Sequence, residues 1–263
     1  MNNKPRVAVH KFSSCDGCQL AFLNLGEALL ELAELVDFAH FLEAGFVDAA
    51  AQVDIAFIEG SVSTPDDAAR LLAIRANSRY LITIGACATA GGVQALRNLA
   101  DAAAWTAAVY ASPEFIHSLA TSTPIRAQVK VDLELWGCPV NSRQVIAAIR
   151  ALLFGVAPVT ENDKVCMECK RRGNVCVLVA RGEPCMGPVT RTGCGALCPS
   201  FGRDCYACYG PAENVNGAAL ANRFIGLGLA PAEVARRFLS INNAAPEFNA
   251  VGRAWQKAEP HDG

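Results

Sequence analysis

Charge is scarce in this chain of 263 residues. Asp, Glu, Lys and Arg make up 18% of it and leave a net charge of −2, so the composition gives no sign of a nucleic-acid or anionic-membrane partner. Long apolar runs are missing as well: none approaches the roughly 18 residues that span a bilayer. Neither an apolar leader nor a twin-arginine pair precedes the first strand-like run. The expectation is a soluble, cytoplasmic protein. No Gly-x-Gly-x-x-Gly fingerprint occurs, so no nucleotide site is assigned to this chain.

What the chain has in excess is cysteine, twelve in all. Cytosolic thiols stay reduced, which makes a disulfide framework a poor account and metal ligation a better one. Twelve thiols suit three tetrathiolate sites. Hydrophobic residues, 52% of the chain, are enough for a real core. The length suits one large domain and a smaller one.

Strand and helix patterns alternate through residues 1–157. Strand-like runs cover Val7 to Phe12, Val53 to Ile58, Tyr80 to Ile84 and Val129 to Trp136, with a weaker one at Leu35 to Leu42. Helical patterns fill Leu20 to Glu34, Asp66 to Asn77 and Ser142 to Phe154. Such alternation predicts a doubly wound α/β domain, a parallel sheet with helices on both faces. Residues 158–263 form a second, smaller domain of different character. Val159 to Pro211 holds eight of the twelve cysteines and too little apolar periodicity to bury its own core, so metal centres are needed for it to fold around. Pro231 to Asn242 reads as a helix with Pro at its first position. The tail from Glu259 is expected to fray.

Cys15 and Cys18 follow the first strand, Cys87 follows another, and Cys138 follows a third. Ligands of open α/β sheets bind beyond the carboxyl ends of the strands, so three loops are predicted to converge there on one site. Gly17, Gly85 and Gly137 allow close backbone approach. Taken singly, a Cys-x-x-Cys pair also fits a thioredoxin-like redox site, and a lone Cys fits a small apolar core residue. The shared strand-end placement favours a cluster. The other eight, Cys166, Cys169, Cys176, Cys185, Cys194, Cys198, Cys205 and Cys208, divide into two four-cysteine sites. Spacing alone allows zinc or iron–sulfur. The all-cysteine ligand set, with no histidine in the block, favours iron–sulfur.

Ser14-Cys-Asp-Gly-Cys18, Ile58-Glu-Gly-Ser61, Gly85-Ala-Cys-Ala88 and Gly137-Cys-Pro139 resemble the small subunits of nickel–iron hydrogenases and, for the first domain, the 20-kDa-type subunit of complex I. Pro184-Cys-Met-Gly-Pro188 with Thr190, and Gly202 through Pro211, look like the family's outer-cluster motifs. The pattern is nearest to the delta subunits of soluble, NAD(P)-linked sulfhydrogenases. The resemblance implies a flavodoxin-like first domain and an irregular iron–sulfur second domain carrying three [4Fe-4S] clusters. It implies that Cys15, Cys18, Cys87 and Cys138 hold the proximal cluster. Cys194, Cys198, Cys205 and Cys208 would hold the medial one, and Cys166, Cys169, Cys176 and Cys185 the distal one. Cys166 stands where membrane-bound uptake types have His, and Cys198 where they often have Pro.

The implied function is electron relay within a hydrogenase, between the nickel–iron site of a partner large subunit and iron–sulfur and FAD/NAD(P)-binding subunits. No catalytic residue is expected in this chain, which lacks the paired Cys-x-x-Cys motifs that the family's large subunits use for nickel. Glu59, beside a strand end, either lines the proximal site or carries protons, or else is a plain surface carboxylate. The rival readings are a complex-I-like quinone module, a zinc-stabilised scaffold, and a hydrogenase coupled to heterodisulfide reductase or ferredoxin.

Overall fold

Six strands form one sheet: β1 (Arg6–Lys11), β2 (Asp37–Phe41), β3 (Phe46–Val47), β4 (Val53–Glu59), β5 (Ser78–Ile84) and β6 (Leu133–Leu135), in the order β3-β2-β1-β4-β5-β6. All neighbours run parallel except β2 and the two-residue β3. The structure, a computed structural model, describes residues 4–257. The chain divides into two compact units, Met1–Val159 and Thr160–Gly263. The tail from Glu259 lies outside the described residues.

The helices of the first unit are α1 (Gly17–Leu23), α2 (Glu27–Leu35), α3 (Pro65–Ala76), α4 (Gly85–Ala90), α5 (Ala102–Val109) and α6 (Ser142–Leu153). They cover both faces of the sheet because side chains alternate along each strand. Val7, Val9, Ile55, Phe57, Ile82 and Ile84 meet Phe22 of α1, Leu32 of α2, and Val145 and Ile149 of α6. On the opposite face Ala8, Ala56, Ile58 and Leu81 meet Leu71 and Ile74 of α3 and Ala88 of α4. Phe57 packs edge-to-face on Phe22 with ring centres 5.2 Å apart, and truncating such a buried ring typically costs about 3–5 kcal/mol. Helix α3 starts where its sequence says it must. Thr64 and Asp67 form a reciprocal capping box, and Pro65 occupies the first turn.

Two expected elements of the first unit differ. The helix expected over Leu20 to Glu34 is two helices, broken at Asn24–Gly26, because Gly26 takes φ +59° and ψ −127°, a conformation open to glycine and few others. The strand expected over Val129 to Trp136 is reduced to Leu133–Leu135. Just before it, Asp132 exchanges bonds with Leu81 through its carboxylate as well as its backbone, so a side chain stands where a ladder carbonyl would.

The second unit begins with short helices α7 (Val165–Arg171), α8 (Val177–Ala180) and α9 (Leu197–Ser200) in an otherwise irregular chain. Then come α10 (Gly217–Ile225), α11 (Pro231–Phe238) and α12 (Pro246–Gln256). These bury Leu220, Phe224, Val234, Phe238 and Phe248. The helix expected from Pro231 ends at Phe238 rather than Asn242. Helices α10 and α12 are legible in the sequence only at their starts, as the Asn216 cap and Pro246. Among the described residues no helix is long and apolar enough to cross a membrane.

Candidate functional site

The order of strands reverses across β1 and β4: β2 lies on one side of β1, and β4, β5 and β6 on the other. A crevice opens at such a point beyond the strand ends, and the first four cysteines gather there. Cys15 and Cys18 follow β1, Cys87 lies in the first turn of α4 beyond β5, and Cys138 lies beyond β6. The loops are tied to one another by backbone bonds. Ser13 and Ser61 exchange N–H···O bonds, and the Ala86 amide donates to the Gly137 carbonyl at 2.7 Å. The Val140 amide donates to the Cys18 sulfur at 3.4 Å. A Cβ on Gly85, where φ is +84°, would lie 2.3 Å from the Cys18 sulfur, so only glycine fits.

The four sulfurs sense one another. Burial, then Cys138 and Cys15, pushes the Cys87 thiol up to about 12. Burial, then the Glu59 charge, raises Cys18; burial, then Cys15, raises Cys138. Thiols crowded under such conditions do not ionise together without a cationic centre between them. Glu59 is no surface carboxylate. It is 2% exposed and accepts the amides of Cys18 and Gln19 at 3.0 and 3.2 Å. Burial raises its pKa, and those two amides oppose the rise. It fills the role left open at the start of α1, whose cap residue Asp16 makes no side-chain cap. The Asp16 carboxylate pairs instead with Lys11 at 2.7 Å.

In the second unit Cys166, Cys169, Cys176 and Cys185 form one neighbourhood. Burial, then Cys185, Cys169 and Cys176, pushes the Cys166 thiol up to about 11. Cys194 lies beside Cys198, and Cys205 beside Cys208. The Arg203 amide donates to the Cys198 carbonyl at 3.0 Å, which folds the chain back between those two pairs. Cys205 is also close to the first neighbourhood, its amide donating to the Cys185 sulfur at 3.3 Å. Among the described residues no group of three or more His, Cys, Asp or Glu is set to hold a single metal ion.

Four non-glycine residues among those described have left-handed backbone: Asp16, Ala196, Ala207 and Asn214. The first three lie between paired cysteines: Cys15 and Cys18, Cys194 and Cys198, and Cys205 and Cys208. Such a conformation costs a non-glycine residue about 1–2 kcal/mol and turns successive amides to one side, as an anion-binding concavity requires. The Ala207 amide donates to the Cys205 sulfur at 3.4 Å, and the amides of Leu197 and Ala196 face Cys194. These donors, and the all-thiol ligand sets, fit iron–sulfur clusters.

Three supporting residues carry little or no signal in the sequence. Glu168 accepts the amides of Gly193 and Ala196 at 2.9 and 3.0 Å. Buried Asn242 donates to the Ala207 carbonyl at 2.7 Å. Gln19 is buried, and its side-chain amide acts on the Glu59 carboxylate. Only Glu168 has a cue that could have found it, its place inside a Cys-x-x-Cys pair.

An α/β sheet with a many-thiol site at its strand ends defines a class of redox subunit, and the known proteins it matches agree. Residues 15–152 match the family described as NADH ubiquinone oxidoreductase, 20 Kd subunit. The sulfhydrogenase 2 subunit delta of Pyrococcus furiosus is 36% identical over 80% of this chain and 88% of its own. A subunit of the vhu F420-non-reducing hydrogenase of Methanococcus voltae is 31% identical over 87% of this chain and 90% of its own. A chain of an NAD+-reducing [NiFe]-hydrogenase, in the H2-reduced state, superposes with a TM-score of 0.56 at 30% identity, over 60% of this chain and 96% of that one. The chain belongs to the family of [NiFe]-hydrogenase small subunits, which shares the 20 Kd subunit's fold.

Proposed function

We propose that the chain relays single electrons through three [4Fe-4S] clusters between the nickel–iron site of a large subunit and a flavin/NAD(P) module. The observation that carries this is the left-handed backbone at Asp16, Ala196 and Ala207, each inside a pair of proposed ligands. In this reading Cys15, Cys18, Cys87 and Cys138 hold the proximal cluster. Cys194, Cys198, Cys205 and Cys208 hold the medial one, and Cys166, Cys169, Cys176 and Cys185 the distal one. The strand order β2-β1-β4-β5-β6 supports a flavodoxin-like first domain.

Clusters bound there would take up and release one electron at a time. The chain's own residues fix the ligands and set their surroundings. Glu59 holds the Cys18 turn, Gly85 leaves room for its sulfur, and the amides at Ala196 and Ala207 face the thiols of the second unit. Cys15 and Cys138 are exposed, which suits a face closed by a large subunit.

A second reading, an acceptor other than NAD(P), such as heterodisulfide reductase or ferredoxin, has one observation in its favour. The NAD+-reducing relative aligns with 60% of this chain, about the share that the first unit makes up. The F420-non-reducing relative aligns with 87%. A quinone module fares worse, because the 20 Kd family match ends at residue 152, before the last eight cysteines.

The test is co-expression with a hydrogenase large subunit, anaerobic purification and metal analysis. The two chains are expected to co-purify with about twelve cluster irons per small subunit, four for each of three clusters, and negligible zinc. Zinc in stoichiometric amount would remove the iron–sulfur reading of the second unit.

A further inference from the structure

Residues 164–203 hold seven Lys and Arg against two Glu. One of the two, Glu168, is turned onto the amides of Gly193 and Ala196. Lys170, Arg172 and Arg181 are exposed, and none of them takes part in an ion pair among the described residues. Arg172 donates to the Ser200 hydroxyl at 3.1 Å and Arg181 to the Gly202 carbonyl at 2.9 Å. The two guanidinium groups are thereby fixed to the residues before and after Phe201, whose ring is 77% exposed. Nearby in the chain, Val179 is 78% exposed, and Cys176 is exposed too.

Exposed apolar side chains, three cations and a proposed cluster ligand open to solvent thus lie in one stretch of chain, with Glu183 its one exposed carboxylate. Lys170 also acts on the Cys166 thiol. All three cations stand in water, where they act on an approaching molecule. Leaving a phenylalanine ring exposed forgoes about 2 kcal/mol of burial, which contact with a partner recovers. Transient redox encounters use patches of this kind, small in area and guided by charge.

We propose that the face formed by Lys170, Arg172, Arg181, Phe201, Val179 and Cys176 docks an acidic protein that carries a one-electron centre, its carboxylates ringing that centre. The inference rests on the electron-relay reading above and adds the chemistry of the receiving partner. A cluster held at Cys176 would give up one electron in each encounter and the partner's centre would take it up; no proton or group would move. Anionic lipid would also be drawn to these cations, but it offers no use for an exposed ligand thiol at Cys176.

The test uses the co-purified complex under H2, with a bacterial two-cluster ferredoxin as the acidic probe. Reduction of the complex's own clusters by H2, read by electron paramagnetic resonance, tests the relay separately. The rate of ferredoxin reduction is expected to fall about tenfold between roughly 50 and 500 mM salt. Lys170→Glu with Arg172→Gln and Arg181→Gln is expected to lower the low-salt rate by about tenfold and flatten the salt dependence. Cluster reduction by H2 stays intact. Lys170→Glu alone, which leaves the bonds of Arg172 and Arg181 in place, gives the same effect at smaller size should the triple variant fail to fold. Phe201→Ala is expected to slow ferredoxin several-fold without changing the salt slope. A rate indifferent to salt and to all these variants would overturn the docking proposal while cluster reduction by H2 still stood. So would binding to phosphatidylserine vesicles that depends on the three cations while ferredoxin reduction does not. Loss of cluster reduction by H2 in the unmodified complex would overturn the relay, and the docking proposal with it.

Discussion

The Glu59 carboxylate accepts the backbone amide of Cys18 at 3.0 Å across 41 residues of sequence, so the end of one strand fixes the turn that follows another. The same carboxylate takes the Gln19 amide. Removing it leaves two buried donors unpaired, each costing about 1–3 kcal/mol. Glu59→Ala is therefore expected to lower stability by about 2–6 kcal/mol on those figures and to deplete the first unit's iron. Glu59→Gln, which keeps an acceptor oxygen, is expected to do less. Chemical denaturation with iron counting reads both, and equal behaviour of the two variants would remove the capping role.

Gly85→Ala places a Cβ where the Cys18 sulfur is, at a backbone angle disfavoured for alanine. The expected result is selective: the resonance signal and iron of the first unit are lost, and those of the second unit stay. Full occupancy in this variant would show that the Cys18 sulfur moves freely.

His10 and His40 stack with ring centres 4.6 Å apart, both buried. Burial, then His40 and Arg70, lowers His10 to about 3, and burial lowers His40. Unfolded histidine takes up its proton near pH 6.5, whereas the folded protein resists until far lower pH. The unfolded state thus binds more protons throughout that window, and stability falls as pH drops below about 6.5. For His10 the slope is up to about 1.4 kcal/mol per pH unit, with His40 adding in the same direction. Urea midpoints at pH 7 and pH 5 are expected to differ less in His10→Phe than in the unmodified protein. Equal differences would contradict the shift.

On the proposed partition, Cys198→Pro removes a thiolate ligand and offers no donor in its place. The expected product is a three-iron cluster held by Cys194, Cys205 and Cys208, seen as a nearly isotropic resonance in the oxidised protein and absent before the change. The other two clusters should persist. A change at the Cys166, Cys169, Cys176 and Cys185 set instead would show that the eight cysteines divide differently, and the closeness of Cys205 to Cys185 makes this a stringent test.

What depends on neighbours in the chain is legible in the sequence. Strand-end positions for Cys18, Cys87 and Cys138 follow from short apolar runs ending in a glycine turn, and the start of α3 follows from Thr64, Pro65 and Asp67. What depends on distant partners is not legible there. Burial of Glu59 is tolerated only because amides from another loop meet it. The shortening of β6 rests on Asp132 reaching Leu81. The left-handed backbone at Ala196 and Ala207 falls on alanine, which does not announce it, and Asn242 reaches its carbonyl from beyond the end of α11.

Glu168 lies between Cys166 and Cys169, yet its carboxylate grips the amides on either side of Cys194. Helix α7 and the loop of Cys194 are thereby joined like two arms of one lever. A displacement of α7 alters the two hydrogen bonds that hold the amides flanking Cys194. Whatever seats itself among the thiols of one set also trims the geometry offered by the other.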